Sequence, residues 1–282
     1  MKESEPVGFS VLLGESRLDG EAMGEGSPIV LLHGITATRR YVVHGSKTLS
    51  RRGHRQLSYD ARAHGRSDPA PEGQGYTYGE LAADLQAVVD AQVGERRFVV
   101  CGHSMGANTA VGYALANQDS VAGLVVIGPV YMGFVDEEAL ERWDRLADGL
   151  ERGGVDGFME AFDRNLDSAW RESVLGFTRR RMVEHRHPEA LARAIREVPR
   201  SRPFESMSEL EFLDLPTLVV ASNDVADPTH PHAVAAAYAE SLPKARLISE
   251  GEGESPLAWQ GGRLAREIAS FCAEEAVASR LG

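Results

Sequence analysis

The sequence has little cysteine, no long hydrophobic run and no excess of basic residues. Two cysteines, Cys101 and Cys272, are too few for a disulfide framework. The longest apolar runs have the length of a strand, far below the roughly 20 residues of a membrane helix. The net charge of −12 has the wrong sign for a protein that binds nucleic acid. The first residues are charged, so no secretory leader is expected, and we expect a cytoplasmic protein without nucleic-acid or membrane partners.

The bulk composition is that of an ordinary globular protein, with 43% hydrophobic and 26% charged residues. A length of 282 residues suits one large domain, or one domain that carries an inserted sub-domain. The single basic run, residues 179–181, lies among acidic neighbours. We interpret it as a solvated helix face rather than a docking site for phosphate or a carrier protein.

Short apolar runs alternate with segments of helical periodicity. The runs lack polar alternation, which is typical of strands buried on both faces. Between two of them, residues 78–91 form an amphipathic pattern, and Thr77 with Glu80 forms a capping box at its start. The alternation predicts an α/β fold with a mostly parallel sheet covered by helices on both faces. The predicted strands are residues 28–32, 56–60, 97–101, 123–127, 217–221 and 246–249.

The strand pattern stops between about residues 130 and 215. The segment has helical stretches such as 188–198, where Pro188 marks a helix start and Leu191 and Ile195 share one face. We interpret residues 131–214 as a helical cap inserted in a core formed by residues 1–130 and 215–282. Such a cap would cover the carboxyl edge of the sheet, where open α/β sheets bind ligands.

The sequence Gly-His-Ser-Met-Gly at residues 102–106 follows a predicted strand and precedes a helix expected to start near Ala107. This is the G-x-S-x-G pattern in its strand–turn–helix context, and it predicts that Ser104 is a nucleophile. The turn is tight enough that side chains at the two glycine positions would collide. The helix dipole favours negative charge developing at Ser104. We expect His103 to point away from this site and to be structural.

Three further segments resemble the α/β-hydrolase superfamily, and with the serine motif they span roughly residues 28–260. Residues 31–36 resemble the His-Gly turn that supplies one oxyanion-hole amide. Residues 60–67 resemble the Asp-x-Arg-Gly-x-Gly-x-Ser segment, with Ala63 in place of a glycine. Residues 216–231 resemble the strand and loop that carry the catalytic acid. The resemblance implies the α/β-hydrolase fold with a helical cap.

The resemblance also implies roles for particular residues. The backbone N–H groups of Ile35 and Met105 would form the oxyanion hole when Ser104 attacks a carbonyl. Two residues compete for the catalytic acid. Asp224 lies near the usual distance from the strand, whereas Asp227 fits the local Asp-Pro-x-x-Pro pattern better and is slightly favoured.

The histidine that normally follows the last strand of this family is missing. Glu254 occupies its place, and no histidine follows His232. A glutamate has an ordinary pKa of about 4.3, against about 6.5 for histidine, so it is a poor base for a serine hydroxyl. His230 lies three residues beyond Asp227, and we hypothesise that it contacts Ser104 as the general base. Glu254 or an aspartate would orient its other nitrogen. The alternative is that His230 only packs at a helix start.

Two more side chains are candidates for substrate binding. His33 lies beside the oxyanion turn, where a structural hydrogen bond is the alternative role. Trp143 lies in the predicted cap, where core packing is the alternative. No histidine has the spacing of a metal ligand. No strand is followed by the glycine pattern of a dinucleotide site. We therefore expect neither metal nor cofactor.

The sequence predicts a serine hydrolase that acts on an ester, thioester or lactone through an acyl-Ser104 intermediate, with a non-standard base. One alternative is an acyltransferase of a biosynthetic pathway that passes the acyl group to an acceptor other than water. Others are a non-catalytic ligand-binding homologue, and a lyase or isomerase that uses only the oxyanion hole. The expected partner is a small acyl compound, possibly carrier-bound. The oligomeric state is left open.

Overall fold

The computed structural model describes residues 5–163, 171–223, 227 and 229–281, and the strands in this part of the chain form one sheet. The sheet has eight strands in the order β1-β2-β4-β3-β5-β6-β7-β8 when they are numbered along the chain. The strands from β3 onward pair in parallel, whereas β1 and β2 form an antiparallel edge. The strands are β1 (Val7–Leu13), β2 (Ser16–Met23), β3 (Ser27–Leu32), β4 (His54–Tyr59), β5 (Phe98–His103), β6 (Val121–Ile127), β7 (Thr217–Val220) and β8 (Ala245–Ile248).

The predicted α/β architecture is confirmed. Each of the six expected strands is present, and α2 starts at Tyr78 behind the predicted capping box of Thr77 and Glu80. The C-terminal segment of the chain forms two helices. The described α-helices are α1 (Thr48–Arg51), α2 (Tyr78–Gln92), α3 (Met105–Ala116), α4 (Glu137–Asp163), α5 (Arg171–Met182), α6 (Pro188–Glu197), α7 (His232–Ser241), α8 (Gly261–Cys272) and α9 (Glu275–Leu281).

Both faces of the sheet are buried, which explains the unbroken apolar runs. In β3, Val30 and Leu32 face one hydrophobic cluster, while Ile29 and Leu31 face another on the opposite side. Free Cys101 is buried in the second cluster, as a small hydrophobic residue. The sheet is therefore a rigid central layer, and its strand ends hold the loops of the candidate site in fixed positions.

Helices α4, α5 and α6 lie between β6 and β7 in the chain, and no strand occurs among the described residues of this segment. We call these three the cap helices, although the domain boundaries remain our interpretation. Their own hydrophobic cluster includes Leu150, Phe158 and Ile195, and Ile35 of the oxyanion turn packs against it. Among the described helices, none has both the length and the apolar character needed to cross a bilayer.

Candidate active site

Ser104 lies at a strained turn between β5 and α3. Its backbone has φ 54° and ψ −113°, a conformation that a non-glycine residue adopts only when the surrounding structure imposes it. A Cβ atom at Gly102 would lie 2.0 Å from the carbonyl oxygen of Gly106, and one at Gly106 would lie 2.2 Å from that of Leu32. Both glycines of the motif are therefore required by close backbone approach. Helix α3 begins at Met105, directly after the serine, rather than near Ala107.

The two expected oxyanion-hole donors are both available. The N–H of Met105 opens α3, where no intrahelical acceptor exists, and that of Ile35 lies in the turn after β3. Neither has a hydrogen-bond acceptor among the described residues. The turn lies against the nucleophile, because a Cβ atom at Gly34 would be 3.2 Å from the Cβ of Ser104. This arrangement can stabilise negative charge on an oxygen bound next to Ser104.

His33 supports this turn through both ring nitrogens. Its Nδ1 donates to the carbonyl of Gly34 at 2.8 Å, and its Nε2 accepts from the N–H of Ala61 at 2.9 Å. These two bonds fix one neutral tautomer, and burial lowers the pKa of His33 to about 4. Neither nitrogen is left for a substrate. The contacts thus fit the structural alternative for His33 and give no support to its expected role in substrate binding.

Asp227 is a buried carboxylate on the loop after β7. One of its oxygens accepts from Nδ1 of His230 at 2.8 Å and from the hydroxyl of Thr229 at 3.0 Å. Burial raises the pKa of Asp227, but the charge and hydrogen bond of His230 outweigh it and lower the pKa to about 2. Asp227 is therefore ionised at neutral pH. Asp224, the competing candidate, lies outside the described residues.

The hydrogen bond to Asp227 determines the tautomer of His230. An ionised carboxylate only accepts, so a proton lies on Nδ1, and in the neutral form of the ring Nε2 carries the lone pair. No donor to this Nε2 occurs in the part of the chain that the structure describes. A Cβ atom at Gly128 would be 3.2 Å from the His230 ring. Gly128 directly follows Ile127, whose carbonyl accepts from the N–H of Ser104 at 2.9 Å. His230 thus lies beside the strand end that holds the nucleophile. Within the described residues, the Oγ of Ser104 has no hydrogen-bond partner.

His103 faces the loop after β7 that carries Asp227 and His230, which we call the acid loop. This is contrary to the expectation that His103 points away. Its ring centroid is 4.8 Å from that of His230, and its Nε2 is buried without a hydrogen-bond partner in the described part of the chain. Burial, followed by the charge of His230, lowers the pKa of His103 to about 3. We call His103, Asp227 and His230 the imidazole–carboxylate cluster. The ring of His103 is neutral at ordinary pH and forms one wall of the site.

The imidazole–carboxylate cluster could also hold a metal ion, which the sequence analysis did not expect. One potential ligand atom from each of the three residues lies within 4.8 Å of the others. Imidazole nitrogen and carboxylate oxygen are ordinary zinc ligands. However, the Asp227–His230 hydrogen bond already pairs Nδ1 of the histidine with a carboxylate oxygen. The described contacts are therefore those of an acid–base pair.

Glu254 is not part of this cluster. Its side chain is 48% exposed, and its carboxylate accepts from the N–H of Gly251 and pairs with Arg263. Asp227, not Glu254, orients His230, so the structure offers no support for the proposed role of Glu254. Glu250 instead joins the two loops, because its buried carboxylate accepts from the backbone N–H groups of Asn223 and Leu257. The sequence analysis did not single out Glu250.

Trp143 lies on α4 and is partly buried against the hydrophobic cluster of the cap helices. Its ring also lies 5.3 Å from the guanidinium of Arg142. Packing accounts for these contacts, and its predicted substrate role stays a prediction. His185, which the sequence analysis missed, ties the cap to the core. Its Nδ1 accepts from the N–H of Gly65 at 2.8 Å, and its Nε2 donates to the carbonyl of Thr36 at 3.1 Å.

Comparison with curated proteins shows partial matches to several enzymes. The sn-1-specific diacylglycerol lipase ABHD11 of Mus musculus is 34% identical over 123 residues, covering 43% of this chain and 36% of the lipase. Epoxide hydrolase B of Mycobacterium tuberculosis is 34% identical over 109 residues, covering 39% and 30%. A non-heme haloperoxidase of Rhodococcus erythropolis is 34% identical over 154 residues, covering 54% and 53%. The chain thus spans about a third to a half of the length of these relatives.

Solved structures match over nearly the whole chain. A thermophilic esterase from Thermogutta terrifontis, solved with malate bound, superposes with a TM-score of 0.78 at 22% identity and covers 97% of this chain and 99% of its own. The enol-lactonase from Burkholderia xenovorans LB400 has a TM-score of 0.75 at 21% identity, covering 94% and 100%. At such identities the likeness shows the fold alone. The profile of the alpha/beta hydrolase fold family matches residues 27–259, and the chain therefore belongs to that family.

Proposed function

We propose that this protein is a serine hydrolase that cleaves an ester, thioester or lactone through an acyl-Ser104 intermediate, with His230 as general base and Asp227 as its acid partner. The lipase, the epoxide hydrolase, the esterase and the enol-lactonase named above are hydrolases, which supports a hydrolase in general terms. The finer proposal is carried by one observation. The 2.8 Å hydrogen bond from His230 Nδ1 to Asp227 leaves Nε2 as an acceptor beside the serine turn.

The proposed reaction follows from this geometry. Nε2 of His230 takes the proton of the Ser104 hydroxyl as Oγ attacks the substrate carbonyl, and the ring later gives that proton to the leaving group. The carboxylate of Asp227 stabilises the imidazolium. The free N–H groups of Ile35 and Met105 bind the developing oxyanion. Water, activated by the same histidine, then hydrolyses the acyl-enzyme.

The proposal requires His230 Nε2 to come within hydrogen-bond distance of the serine hydroxyl when substrate binds. Catalytic hydrogen bonds are often long in free enzymes and shorten in the substrate complex. The local turn favours this, since the backbone N–H of His230 donates to the carbonyl of Asp227 at 3.1 Å. The histidine and its acid partner would then move as one unit, and their mutual hydrogen bond would be kept.

Labelling with a neutral fluorophosphonate, followed by intact-protein mass, tests this proposal. We expect one adduct on the wild type, none on Ser104→Ala, and labelling that is about 10²- to 10⁴-fold slower on His230→Ala because the base is lost. Glu254→Ala is the matched control, since the described partners of this carboxylate are Gly251 and Arg263. It should label at the wild-type rate.

Two results would contradict the proposal. A folded wild type that forms no adduct would point to a ligand-binding homologue without a working nucleophile. Equal labelling of wild type and His230→Ala would place the base elsewhere.

Acyl transfer is distinguished by turnover of a thioester with and without an added amine or alcohol. Hydrolysis predicts equal rates, whereas acceleration by the acceptor supports an acyltransferase.

A further inference from the structure

Arg181 lies in the last turn of α5, at the end of the basic run that the sequence analysis interpreted as a solvated face. Two of the three arginines fit that interpretation. Arg179 is half-exposed and pairs with Asp156 at 2.6 Å, and exposed Arg180 donates to the carbonyl of Gly176 at 3.3 Å. Arg181 differs, because it is partly buried and its Nε is fully enclosed without a hydrogen-bond acceptor.

Aromatic side chains surround this arginine. Its guanidinium carbon lies 5.4 Å from the centre of the Phe177 ring, one turn earlier on the same helix. Phe177 in turn contacts Tyr41 at 5.3 Å and stacks on Trp259 at 6.2 Å, measured between ring centroids. These rings belong to the cap, to the segment after β3 and to the segment after β8. Arg181 is therefore enclosed where three parts of the chain meet.

The charge of Arg181 acts on the candidate active site. It lowers the pKa of His103, which directly precedes the nucleophile, and Asp227 in turn favours the charged form of the arginine. Burial lowers the pKa of Arg181 to about 10, so the guanidinium stays positive at neutral pH. Tyr41 and Trp259 lie on segments that follow the carboxyl ends of β3 and β8, the edge of the sheet from which the turns of Ser104 and His230 also leave. The cation is therefore on the same side of the sheet as the candidate site.

Where the structure describes them, the carboxylates near Arg181 are already engaged by other groups. Asp227 accepts from His230 and Thr229, and the two oxygens of Glu184 accept from Thr38 at 2.9 Å and from Tyr41 at 2.8 Å. Among the described residues, no carboxylate lies within ion-pair distance of Arg181. A partly buried cation without a counter-ion is unfavourable in itself, and such groups concentrate at functional sites.

We propose that Arg181 binds a carboxylate carried by the substrate, so that the preferred substrates are esters or thioesters with a carboxylate near the scissile carbonyl. This inference rests on the proposed function and names its substrate class. The planar guanidinium presents paired donors that match the two oxygens of a carboxylate. The aromatic walls exclude water from that contact. The carboxylate would reach the terminal Nη1 and Nη2, since Nε is enclosed.

A pair of synthetic esters tests the inference. The mono-p-nitrophenyl ester of glutaric acid carries a free carboxylate, and its methyl ester has the same acyl chain without the charge. We expect the wild type to favour the anionic ester by about 10- to 100-fold in kcat/KM, the effect of a charge-assisted pair of hydrogen bonds. Arg181→Gln should abolish this preference. The neighbouring Arg180→Gln, on the exposed face of the same helix, should keep it.

The outcomes separate this inference from the proposed function. Equal kcat/KM for the two esters in the wild type would overturn the role of Arg181 while leaving the hydrolase intact. Absence of turnover together with absence of a fluorophosphonate adduct would overturn the function itself. If Arg181→Gln does not fold, the ratio of kcat/KM for the two esters in the wild type decides. Glutarate should inhibit hydrolysis of the neutral ester competitively, and glutaramide should not. Inhibition by inorganic phosphate but not by glutarate would also refute the carboxylate assignment.

Discussion

Replacing Asp227 with asparagine removes the charge next to His230 and keeps the size of the side chain. The pKa of Asp227 is lowered from an ordinary 3.8 to about 2, although burial alone would raise it. That difference corresponds to roughly 2 kcal/mol in favour of the ionised carboxylate. Much of it comes from His230, and in the proposed mechanism the same coupling would stabilise the imidazolium that forms during acylation. Loss of this coupling alone should slow acylation by about 10- to 100-fold.

A second effect adds to this loss. The side-chain amide introduced by Asp227→Asn can donate to Nδ1 of His230, which would move the ring proton to Nε2 and remove the base. For a serine protease triad, the equivalent Asp-to-Asn change lowers kcat by about 10⁴. We therefore expect Asp227→Asn to slow acylation by about 10²- to 10⁴-fold, measured as the burst of p-nitrophenol from an activated ester. Thermal melting confirms the fold. A loss below fivefold, with a loss of 100-fold in Asp224→Asn, would refute the assignment of the acid.

Three further predictions concern the surroundings of the site. Gly34→Ala should lower kcat by about 10²-fold without unfolding the protein, because the new Cβ would lie 3.2 Å from the Cβ of Ser104 and shift an oxyanion donor; an unchanged kcat would contradict this. The folded-state pKa of His33 is about 4, below its unfolded value of about 6.5, so its contribution of about 3 kcal/mol is complete above pH 6.5 and is lost as the pH falls towards 4. Between pH 6.5 and 4, the melting temperature should therefore decrease less steeply in His33→Asn than in the wild type. Chelators should leave the hydrolysis rate unchanged, whereas zinc should inhibit at the imidazole–carboxylate cluster, and less so in His103→Ala.

The sheet could be read from the sequence because its central strands are buried on both faces. In β3, β5 and β6 nearly every residue is apolar, so a run such as Val121–Ile127 stands out against its polar neighbours. The antiparallel hairpin of Val7–Leu13 and Ser16–Met23 was missed for the opposite reason. Val7 and Leu12 are exposed on the edge strand, and polar residues or glycine interrupt both strands, so no apolar run within them exceeds three residues.

The residues of the site were predicted unevenly for similar reasons. Ser104 is fixed by local steric demands that leave a glycine pattern in the sequence. Asp227 and His230 are three residues apart, so their pairing was accessible to local reasoning. Arg181 could not be identified in this way. Arg181 has the same side chain as Arg179 and Arg180 and the same surroundings in the sequence. The packing of α5 decides which of the three arginines turns inward.

A histidine on the acid loop changes what the loop after β8 has to do. In the usual arrangement two separate loops must hold the acid and the base in register, whereas in the proposed arrangement both groups come from one turn closed by the backbone hydrogen bond from His230 to Asp227. Glu250 then ties the start of the acid loop to the segment after β8 through backbone N–H groups on both sides. That loop thus becomes a brace for the turn, and Glu254 is left at the surface with Arg263. Loss of the usual histidine is therefore compatible with a preorganised base, because the pair depends on a local hydrogen bond rather than on loop register.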